Sequence, residues 1–303
     1  MRFVVVGAGR LGASLALALR SHGSTLLGFT SHSPEGRAHA ESWLGMPSSP
    51  GLAELVGRDP DLYLLAVPDR ALPTVAGELA RLLDASGATH RPYVAHTSGA
   101  TSADVLAPCE KAGAHTLVFH PLQTFSDPLT GAGRFEGTAI AVTPSDSQAD
   151  SAAARLGFAL ARALGARPFL LTDDKRSLYH AAATMACNYL VTLEHQAARL
   201  FVTAGLPEEQ ALSLFLPLVE ATLANVAAQG TVDALTGPLS RGDTGTVSRH
   251  LAALAVDAPG LLPLYRTLGL ATLDMVRARG EVPRQVIETL ADMLTDPADS
   301  HGS

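Results

Sequence analysis

Three glycines near the amino terminus constrain this chain more than any other feature. The stretch RFVVVGAGRLGASLALALR places Gly7, Gly9 and Gly12 between a β-branched run and an Ala/Leu-rich helical pattern. The spacing G-x-G-x-x-G in that context predicts a strand, a tight turn and a helix. Gly7 allows the turn, Gly9 admits a pyrophosphate close to the backbone, and Gly12 lets the helix pack closely on the strand. The sequence therefore predicts a dinucleotide site that includes Arg10 and Leu11, the alternative being a purely structural turn.

The end of the second predicted strand indicates which dinucleotide fits. NAD-binding versions place Asp or Glu there, to hydrogen-bond the ribose 2′-OH. This chain has FTSHS at 29–33, with Arg37 shortly after. Thr30 and Ser31 offer hydrogen bonds and Arg37 offers positive charge to a 2′-phosphate, so NADP(H) is favoured over NAD(H). The alternative is that these residues only cap the next helix, for which SPE at 33–35 is well suited.

Composition restricts the class of protein. The chain has 303 residues, enough for two domains, and its net charge of −7 argues against nucleic acid or an anionic membrane as partner. It has no run of about 18 apolar residues, and the first strand begins at residue 2, so we expect a cytoplasmic protein without a signal peptide. Two distant cysteines, Cys109 and Cys187, predict neither a metal site nor a disulfide framework.

Short apolar runs alternate with helical stretches between residue 24 and about 171. The runs are 25–29, 62–67, 92–96, 116–119, 138–142 and 169–171. This alternation is typical of an α/β fold with a doubly wound, mostly parallel Rossmann sheet. After residue 172 only helical patterns follow, so a second, all-α domain is expected. The predicted divisions are 1–171 for the nucleotide-binding domain, 172–295 for the helical domain and 296–303 for a disordered tail.

Residues just after the strands are candidate ligand contacts, because ligands of such sheets bind beyond the carboxyl ends of strands. Val67 and Pro68 follow one strand. Thr97 and Ser98 follow another, in the sequence HTSGA, where small hydroxyl residues suit contact with a nicotinamide or a substrate. His120, before a proline at the next strand end, is a candidate proton carrier. The alternatives are turn chemistry for Ser98 and a loop-satisfied histidine for His120.

The long helix predicted over 173–201 carries polar side chains at four- and seven-residue steps. They are His180, Thr184, Asn188 and His195. Such a polar stripe on an otherwise apolar helix indicates a wet cleft, because buried polar groups need partners. Lys175 lies at the first turn, where its charge is unfavourable for the helix dipole, so it is a candidate catalytic residue.

A glycine-rich loop, TGPLSRGDTGTVSRH at 236–250, is the last unusual stretch. Arg241 and free N–H groups of this loop could hold a substrate carboxylate, with Asp243 and Thr246 as further contacts. The following helix is expected to be capped by Thr244 or Thr246. The alternative is that Arg241 and Asp243 pair with each other and fix the turn.

These motifs carry a family resemblance. The stretches GAGRLG, AVPD, HTSGA, FHPLQTF, YHAAATMACNYL and TGPLSRGDTGTVSRHL resemble, over nearly the full chain, bacterial Rossmann-like NADP oxidoreductases with a C-terminal domain of unknown function. The architecture is more distantly similar to ketopantoate reductases, pyrroline-5-carboxylate reductases and prephenate dehydrogenases. The resemblance implies a second domain like the C-terminal domain of 6-phosphogluconate dehydrogenase, which commonly dimerises.

The resemblance also implies roles for single residues. In prephenate dehydrogenases a strand-end Ser and the His of a His-Pro pair contact the substrate, and Ser98 and His120 match them. In ketopantoate reductases a Lys acts as general acid, with an Asn one helical turn later. Lys175 matches the Lys, but Tyr179 stands where the Asn should be, and Asn188 and His180 lie on a different helix face.

Together these features predict an NADPH-dependent oxidoreductase that reduces a small carbonyl acid, a 2-oxo acid such as ketopantoate, in the cleft between the domains. The proton would come from Lys175, His180 or His120, and Arg241 would bind the carboxylate with Asn188 nearby. A cyclic-imine reductase or a prephenate-like dehydrogenase is the alternative. An inactive NADP(H)-binding sensor or assembly protein is an alternative of another class. The expected partners are the small acid and a second copy of the chain.

Overall fold

Seven strands form one sheet in the part of the chain that the computed structural model describes, residues 1–87, 90–146 and 148–295. The strands are β1 (Arg2–Val6), β2 (Thr25–Thr30), β3 (Leu62–Leu65), β4 (Tyr93–His96), β5 (His115–Pro121), β6 (Ala139–Pro144) and β7 (Arg167–Leu170). Their order is β2-β1-β3-β4-β5-β6-β7, and every neighbouring pair is parallel except β5 with β6. The predicted mostly parallel sheet is confirmed.

Helices cover both faces of this sheet. They are α1 (Arg10–Ser21), α2 (Pro34–Leu44), α3 (Leu52–Gly57), α4 (Leu72–Ser86), α5 (Ala107–Lys111), α6 (Pro128–Gly131) and α7 (Ala152–Ala163). Side chains alternate between the faces of a strand. Accordingly, Phe3 and Val5 join one apolar core with α1, α2 and α7, while Val4 and Val6 join a second core with α3, α4 and α5. The sheet is therefore doubly wound, as predicted.

The chain divides into two compact units, Met1–Met185 and a second that begins at Ala186. The first unit thus extends beyond the predicted boundary at residue 171, and it includes α8 (Arg176–Thr184). A buried arginine accounts for the difference. Arg176 Nε donates to Asp173 Oδ1 at 3.0 Å, and its guanidinium also donates to Thr143 Oγ1 on β6. The start of α8 is therefore tied to the sheet.

The second unit consists, in its described residues, of helices and turns without a strand, which confirms the predicted all-α domain. A π-helical turn (Met185–Tyr189) is followed by α9 (Leu190–Thr203), α10 (Glu208–Asp233), α11 (Thr244–Asp257), α12 (Leu262–Arg279) and α13 (Arg284–Leu294). The single helix predicted over 173–201 is thus interrupted by a π turn. The unit has a small core of Val247, Leu273, Val276, Ile287, Leu290 and Leu294. The predicted tail, 296–303, lies outside the described residues.

Helix α10 is unusually apolar for its surroundings. It is the one helix of the described chain that is long and apolar enough, by length and composition alone, to cross a membrane. Among its residues only Ala211 and Phe215 are buried. Pro217 lies inside it, and Gly230 has a non-helical backbone with φ of 80°. Most of its apolar surface is therefore uncovered in a single chain.

Candidate functional site

A cleft of about 860 Å³ in the first unit is lined by residues that follow β1, β2, β3 and β4. Predicted cofactor residues in this lining are Gly7, Gly9, Leu11, Thr30, Ser31, Arg37, Val67, Pro68, Thr97 and Ser98. Arg10 and Gly12 are not part of it. Ser33 and Asp69 also line the cleft. Lining residues that the sequence analysis missed are Val6, His32, Pro50, Gly51, Leu52, Ala66, Val75 and Glu78. Several of these directly flank a strand end, which is the signal that could have found them.

The glycine turn has the geometry that the sequence predicts. Gly7 has a φ of +92°, and its N–H and that of Ala8 both donate to Thr30 O at 3.0 Å. A Cβ at residue 12 would lie 2.3 Å from Gly7 O, so only glycine lets α1 start this close to β1. At Gly9, by contrast, no atom of the described chain lies within 4 Å of an added Cβ. This open backbone fits the pyrophosphate of a dinucleotide at a helix start.

The end of β2 serves two purposes. Ser33 Oγ accepts from Gly36 N at 3.0 Å, so Ser33 caps α2, as the alternative interpretation proposed. Arg37 is nevertheless exposed and lines the cleft, and its side chain makes no hydrogen bond or ion pair with the described chain. His32 lines the cleft beside it. Capping by Ser33 therefore leaves a free positive charge at this end of the cleft.

His96, at the end of β4, is fully buried and was missed as a candidate. Its Nδ1 accepts from Ser98 N at 3.2 Å, and its Nε2 lies 3.3 Å from Ser102 O, so the neutral ring with hydrogen on Nε2 satisfies both contacts. Burial lowers the pKa of His96 to about 4. His96 therefore holds the β4 loop as a neutral group.

The Ser98 hydroxyl makes its hydrogen bonds within the same loop. Its Oγ accepts from Ala100 N at 3.2 Å and Thr101 N at 3.0 Å, and donates to Thr101 Oγ1 at 3.0 Å. These hydrogen bonds are typical of a serine turn. They agree with the alternative prediction, in which Ser98 stabilises the turn. Ser98 also lines the cleft, and the next residue in the chain is Gly99.

Two histidines converge over Gly99. A Cβ at that position would lie 2.7 Å from His120 Nε2 and 2.8 Å from His180 Nδ1. The ring centroids of the two histidines are 6.4 Å apart, and His120 Nδ1 lies 2.8 Å from the Tyr179 hydroxyl. Glycine at residue 99 therefore lets two imidazole nitrogens lie close to the backbone, next in the chain to the cleft residue Ser98.

The His120 ring is held neutral. Burial, together with the charges of His180 and Arg176, lowers the pKa of His120 to about 4. A neutral imidazole has one nitrogen that donates and one that accepts. At neutral pH His120 therefore acts through hydrogen bonding and not as a fixed positive charge.

Arg176 is a site residue that the sequence analysis did not single out. It is 1 % exposed, and its Nη1 has no hydrogen-bond partner among the described residues. Its charge contributes to the lowered pKa of both His96 and His120. The available signal was a second basic residue beside Lys175 at the helix start. The sequence analysis singled out Lys175, the more exposed of the two residues.

Other predicted residues of the long helix are not in this cluster. Lys175 Nζ pairs with Asp174 Oδ2 at 3.0 Å, and both side chains are about two-thirds exposed, at 67 % and 64 %. Thr184 Oγ1 donates to His180 O at 3.0 Å, a bond within the helix. Asn188 lies in the π-helical turn and is exposed, and His195 lines a separate cavity of the second unit. Of the polar stripe, the structure brings only His180 to His120.

In the glycine-rich loop, Asp243 caps α11, whereas Thr244 or Thr246 was predicted to do so. Asp243 Oδ1 accepts from Thr246 N at 2.9 Å and Oδ2 accepts from Thr246 Oγ1 at 2.6 Å, and these hydrogen bonds lower the pKa of Asp243. An Asp cap accepts both bonds with one carboxylate. Arg241 is exposed and makes no ion pair with the described chain, so the predicted Arg241–Asp243 pair does not form. Its guanidinium is free to meet an anion.

The sheet, the glycine turn and the cleft together define a Rossmann-type nucleotide-binding protein. Residues 1–121 match the family model of a Rossmann-like domain, and residues 144–272 match that of a domain of unknown function, DUF2520. The chain therefore joins a stretch similar to Rossmann-like domains to a stretch similar to DUF2520 domains. Among proteins with curated descriptions, none matches this sequence.

Solved structures show the same architecture. A candidate NADP oxidoreductase from Bacteroides fragilis is 26 % identical with a TM-score of 0.69, covering 88 % of this chain and 95 % of its own. A pyrroline-5-carboxylate reductase from Streptococcus pyogenes is 17 % identical with a TM-score of 0.61, covering 96 % and 98 %. Prephenate dehydrogenase from Aquifex aeolicus is 16 % identical with a TM-score of 0.51, covering 84 % and 97 %. These likenesses show the fold, a Rossmann-type domain joined to a helical domain.

The buried neutral His96 predicts a pH dependence of stability. Unfolded histidine binds a proton near pH 6.5, whereas folded His96 does so only near pH 4. The unfolded state therefore holds more protons in this range, and stability should decrease as the pH falls from 6.5 to 4, by about 3 kcal/mol for a group shifted this far. Denaturant unfolding at several pH values should show a smaller loss for His96→Asn than for wild type or for the exposed-site control His22→Asn. Equal pH slopes in all three proteins would contradict the assignment.

Proposed function

We propose that this protein is an NADPH-dependent reductase of a small carbonyl acid, such as a 2-oxo acid of the ketopantoate type. One observation carries the proposal: His120 Nε2 and His180 Nδ1 converge over Gly99, next in the chain to the cleft residue Ser98. A carbonyl oxygen bound beside these two nitrogens would meet groups able to hydrogen-bond it. Such contacts strengthen as negative charge develops on the oxygen, so they favour the transition state.

NADPH, when bound, supplies the hydride. The open backbone at Gly9 and the start of α1 would hold its pyrophosphate. Thr30, Ser31 and Arg37 line the cleft where a 2′-phosphate would lie, and no carboxylate ends β2. The likeness to a candidate NADP oxidoreductase supports the same choice. NAD(H) is the second candidate cofactor.

The proton would come from His120 or His180, with Lys175 as a further candidate. Both histidines present a ring nitrogen beside Gly99, whereas Lys175 is paired with Asp174 at the surface. In the helical unit, the free guanidinium of Arg241 is the proposed ligand for the substrate carboxylate. Further proposed substrate contacts are Asn188, Asp243 and Thr246. The last two are also hydrogen-bonded to each other.

A cyclic-imine reductase or a prephenate-like dehydrogenase is the second candidate function. The likeness to a pyrroline-5-carboxylate reductase and to a prephenate dehydrogenase favours it. A cofactor-binding sensor without chemistry is the candidate of another class. It is favoured by Tyr179, which stands where ketopantoate reductases are expected to have Asn.

The proposed function is tested by following NADPH consumption with a panel of 2-oxo acids and cyclic imino acids, and NADP⁺ reduction with prephenate. At least one 2-oxo acid should be reduced, with a kcat/KM well above that for the imino acids. Calorimetry on the same preparation measures NADPH binding. Binding of NADPH without turnover of any panel member would support the sensor and contradict the reductase.

Arg37→Ala should change the cofactor preference. Loss of a charge-assisted contact to the 2′-phosphate, worth about 1.5–3 kcal/mol, should raise the Kd for NADPH roughly 10- to 100-fold. The Kd for NADH should change by less than about 2-fold, because NADH has no 2′-phosphate. Arg81→Ala, an exposed arginine on α4, is the matched control. An unchanged ratio of the two affinities would remove the charge argument for NADP(H).

The helical unit carries large apolar side chains that no part of the unit covers. They are Leu212, Leu214, Leu216, Leu218 and Leu223 on α10, Val191, Leu193 and Val202 on α9, and Leu264, Leu268 and Leu270 on α12. A helix that is apolar on all sides is stable in water only when other apolar groups pack on more than one of its faces. A bilayer is a poor cover for α10, because Glu220 lies inside it and a charge near the centre of a span costs roughly 2.5–3.5 kcal/mol.

We propose that a second copy of this chain covers these apolar side chains. In a symmetric dimer the same apolar helices of the two copies would pack on each other. Sedimentation equilibrium at micromolar concentration should therefore give the mass of two chains. Leu218→Glu, at a position 66 % exposed, should shift the mass toward one chain, because the new carboxylate would be buried without a partner. Leu129→Glu, at a leucine of the first unit that is 63 % exposed, is the control. A single-chain mass for wild type would contradict the dimer.

We propose a cytoplasmic location. Cys109 and Cys187 are both free thiols, as is usual in a reducing compartment. The net charge of −7 opposes nucleic acid or an anionic membrane surface as partner. The proposed partners are thus the small acid, the nucleotide and a second copy of the chain.

A further inference from the structure

Tyr179 is held against His120 by more than one contact. Its hydroxyl lies 2.8 Å from His120 Nδ1, and the two rings meet edge to face with centroids 5.5 Å apart. Phe169 of β7 also packs edge to face on Tyr179, with centroids 6.0 Å apart. The ring of Tyr179 is therefore fixed by packing, and its hydroxyl is directed at one nitrogen of His120.

If the Tyr179 hydroxyl is the donor in this contact, the ring hydrogen of His120 lies on Nε2. The hydroxyl has a proton to donate, because burial raises the pKa of Tyr179 to about 12. His120 is neutral, since burial and the charges of His180 and Arg176 lower its pKa while Asp69 opposes them only weakly. A neutral ring whose Nδ1 accepts carries its single hydrogen on Nε2. Nε2 is the nitrogen that lies beside Gly99.

We propose that the Tyr179 hydroxyl donates to His120 Nδ1, that the two residues form a proton relay to a substrate oxygen bound at His120 Nε2, and that the site therefore acts on carbonyl compounds and not on protonated imines. The inference rests on the proposed reductase function. It adds a residue, Tyr179, which would act through His120, and it selects between the substrate classes that the proposed function leaves open.

In the proposed relay, a hydride reaches the carbonyl carbon and a proton reaches the carbonyl oxygen. The carbonyl carbon accepts a hydride from NADPH, and the electron pair of the C=O π bond moves to oxygen. That oxygen forms a new O–H bond with the proton of His120 Nε2, while Nδ1 takes the proton of the Tyr179 hydroxyl. His120 is left as a neutral ring with its hydrogen on Nδ1. Nδ1 then returns that proton to the phenolate of Tyr179 while Nε2 takes a proton from water, which restores the starting state.

The direction of transfer follows from basicity. An alkoxide is a stronger base than a phenolate, so the proton moves from Tyr179 through His120 to the product. A protonated imine, by contrast, presents an N–H group of its own. That group would face the N–H of His120 Nε2, and two donors leave both unsatisfied. The hydrogen on Nε2 thus favours a carbonyl oxygen.

Tyr179→Phe tests the relay, because it removes only the hydroxyl and keeps the ring that packs on Phe169. With the best 2-oxo acid of the panel, kcat should fall about 10²- to 10⁴-fold, the usual range for general acid catalysis. KM and the Kd for NADPH should stay within about 2-fold. Tyr93→Phe is the matched control, since Tyr93 and His115 form a ring pair at the opposite ends of the same two strands. Wild-type turnover in Tyr179→Phe would overturn the relay.

A second measurement does not depend on turnover. Nitrogen-15 NMR of labelled histidine should show His120 with a protonated Nε2 and an acceptor Nδ1, assigned by the loss of its signals in His120→Asn. In Tyr179→Phe the Nδ1 signal should shift, because its hydrogen bond is gone. A protonated Nδ1 in an active reductase would overturn the relay alone. The expected tautomer together with turnover of imino acids only, or of no panel member, would overturn the proposed function and the relay with it.

Discussion

A buried guanidinium connects the two parts of this site. Arg176 bonds Asp173 and Thr143, and Asp173 in turn accepts from Ala103 N at 3.0 Å, so the start of α8 is fastened both to β6 and to the loop after β4. Breaking a buried pair of this kind by removing one partner typically costs about 3–5 kcal/mol. Because Tyr179 and His180 lie on the first turns of α8, their positions depend on this attachment. The same charge helps to keep His120 neutral.

The nucleotide half of the site depends on a different constraint, the absence of side chains. Gly12 permits α1 to begin against the carbonyl of Gly7, and Gly9 leaves backbone open to the cleft. The same steric requirement applies to Gly99 after β4, because any side chain at this position would collide with His120 and His180. The cleft and the two histidines are therefore neighbours because successive parallel strands end at one edge of the sheet, and because glycine is present at each close approach.

Much of this could be predicted from local sequence. The glycine spacing identified the nucleotide turn, and the alternation of apolar runs identified the sheet and the all-helical second unit. His120 and Ser98 were found because they follow strands. Lys175 was singled out over Arg176, although only Arg176 is buried, because sequence does not tell which of two adjacent basic residues faces the core. Tyr179 counted as a departure from a family pattern, whereas the structure places its hydroxyl at His120. Asp243 was expected to bind a ligand, yet its carboxylate caps α11.

The sequence by itself determined the order of strands and helices, the turn at Gly7 to Gly12 and the strand ends from which a ligand site could be built. These features depend on residues close together in the chain, where the periodicity of apolar side chains and the backbone freedom of glycine act directly. Only the tertiary structure decided that His120, Tyr179 and His180 meet over Gly99, and that Arg176 holds them there. Those contacts join residues about 20 to 80 positions apart, and their geometry follows from how α8 packs on the sheet, which no local pattern encodes.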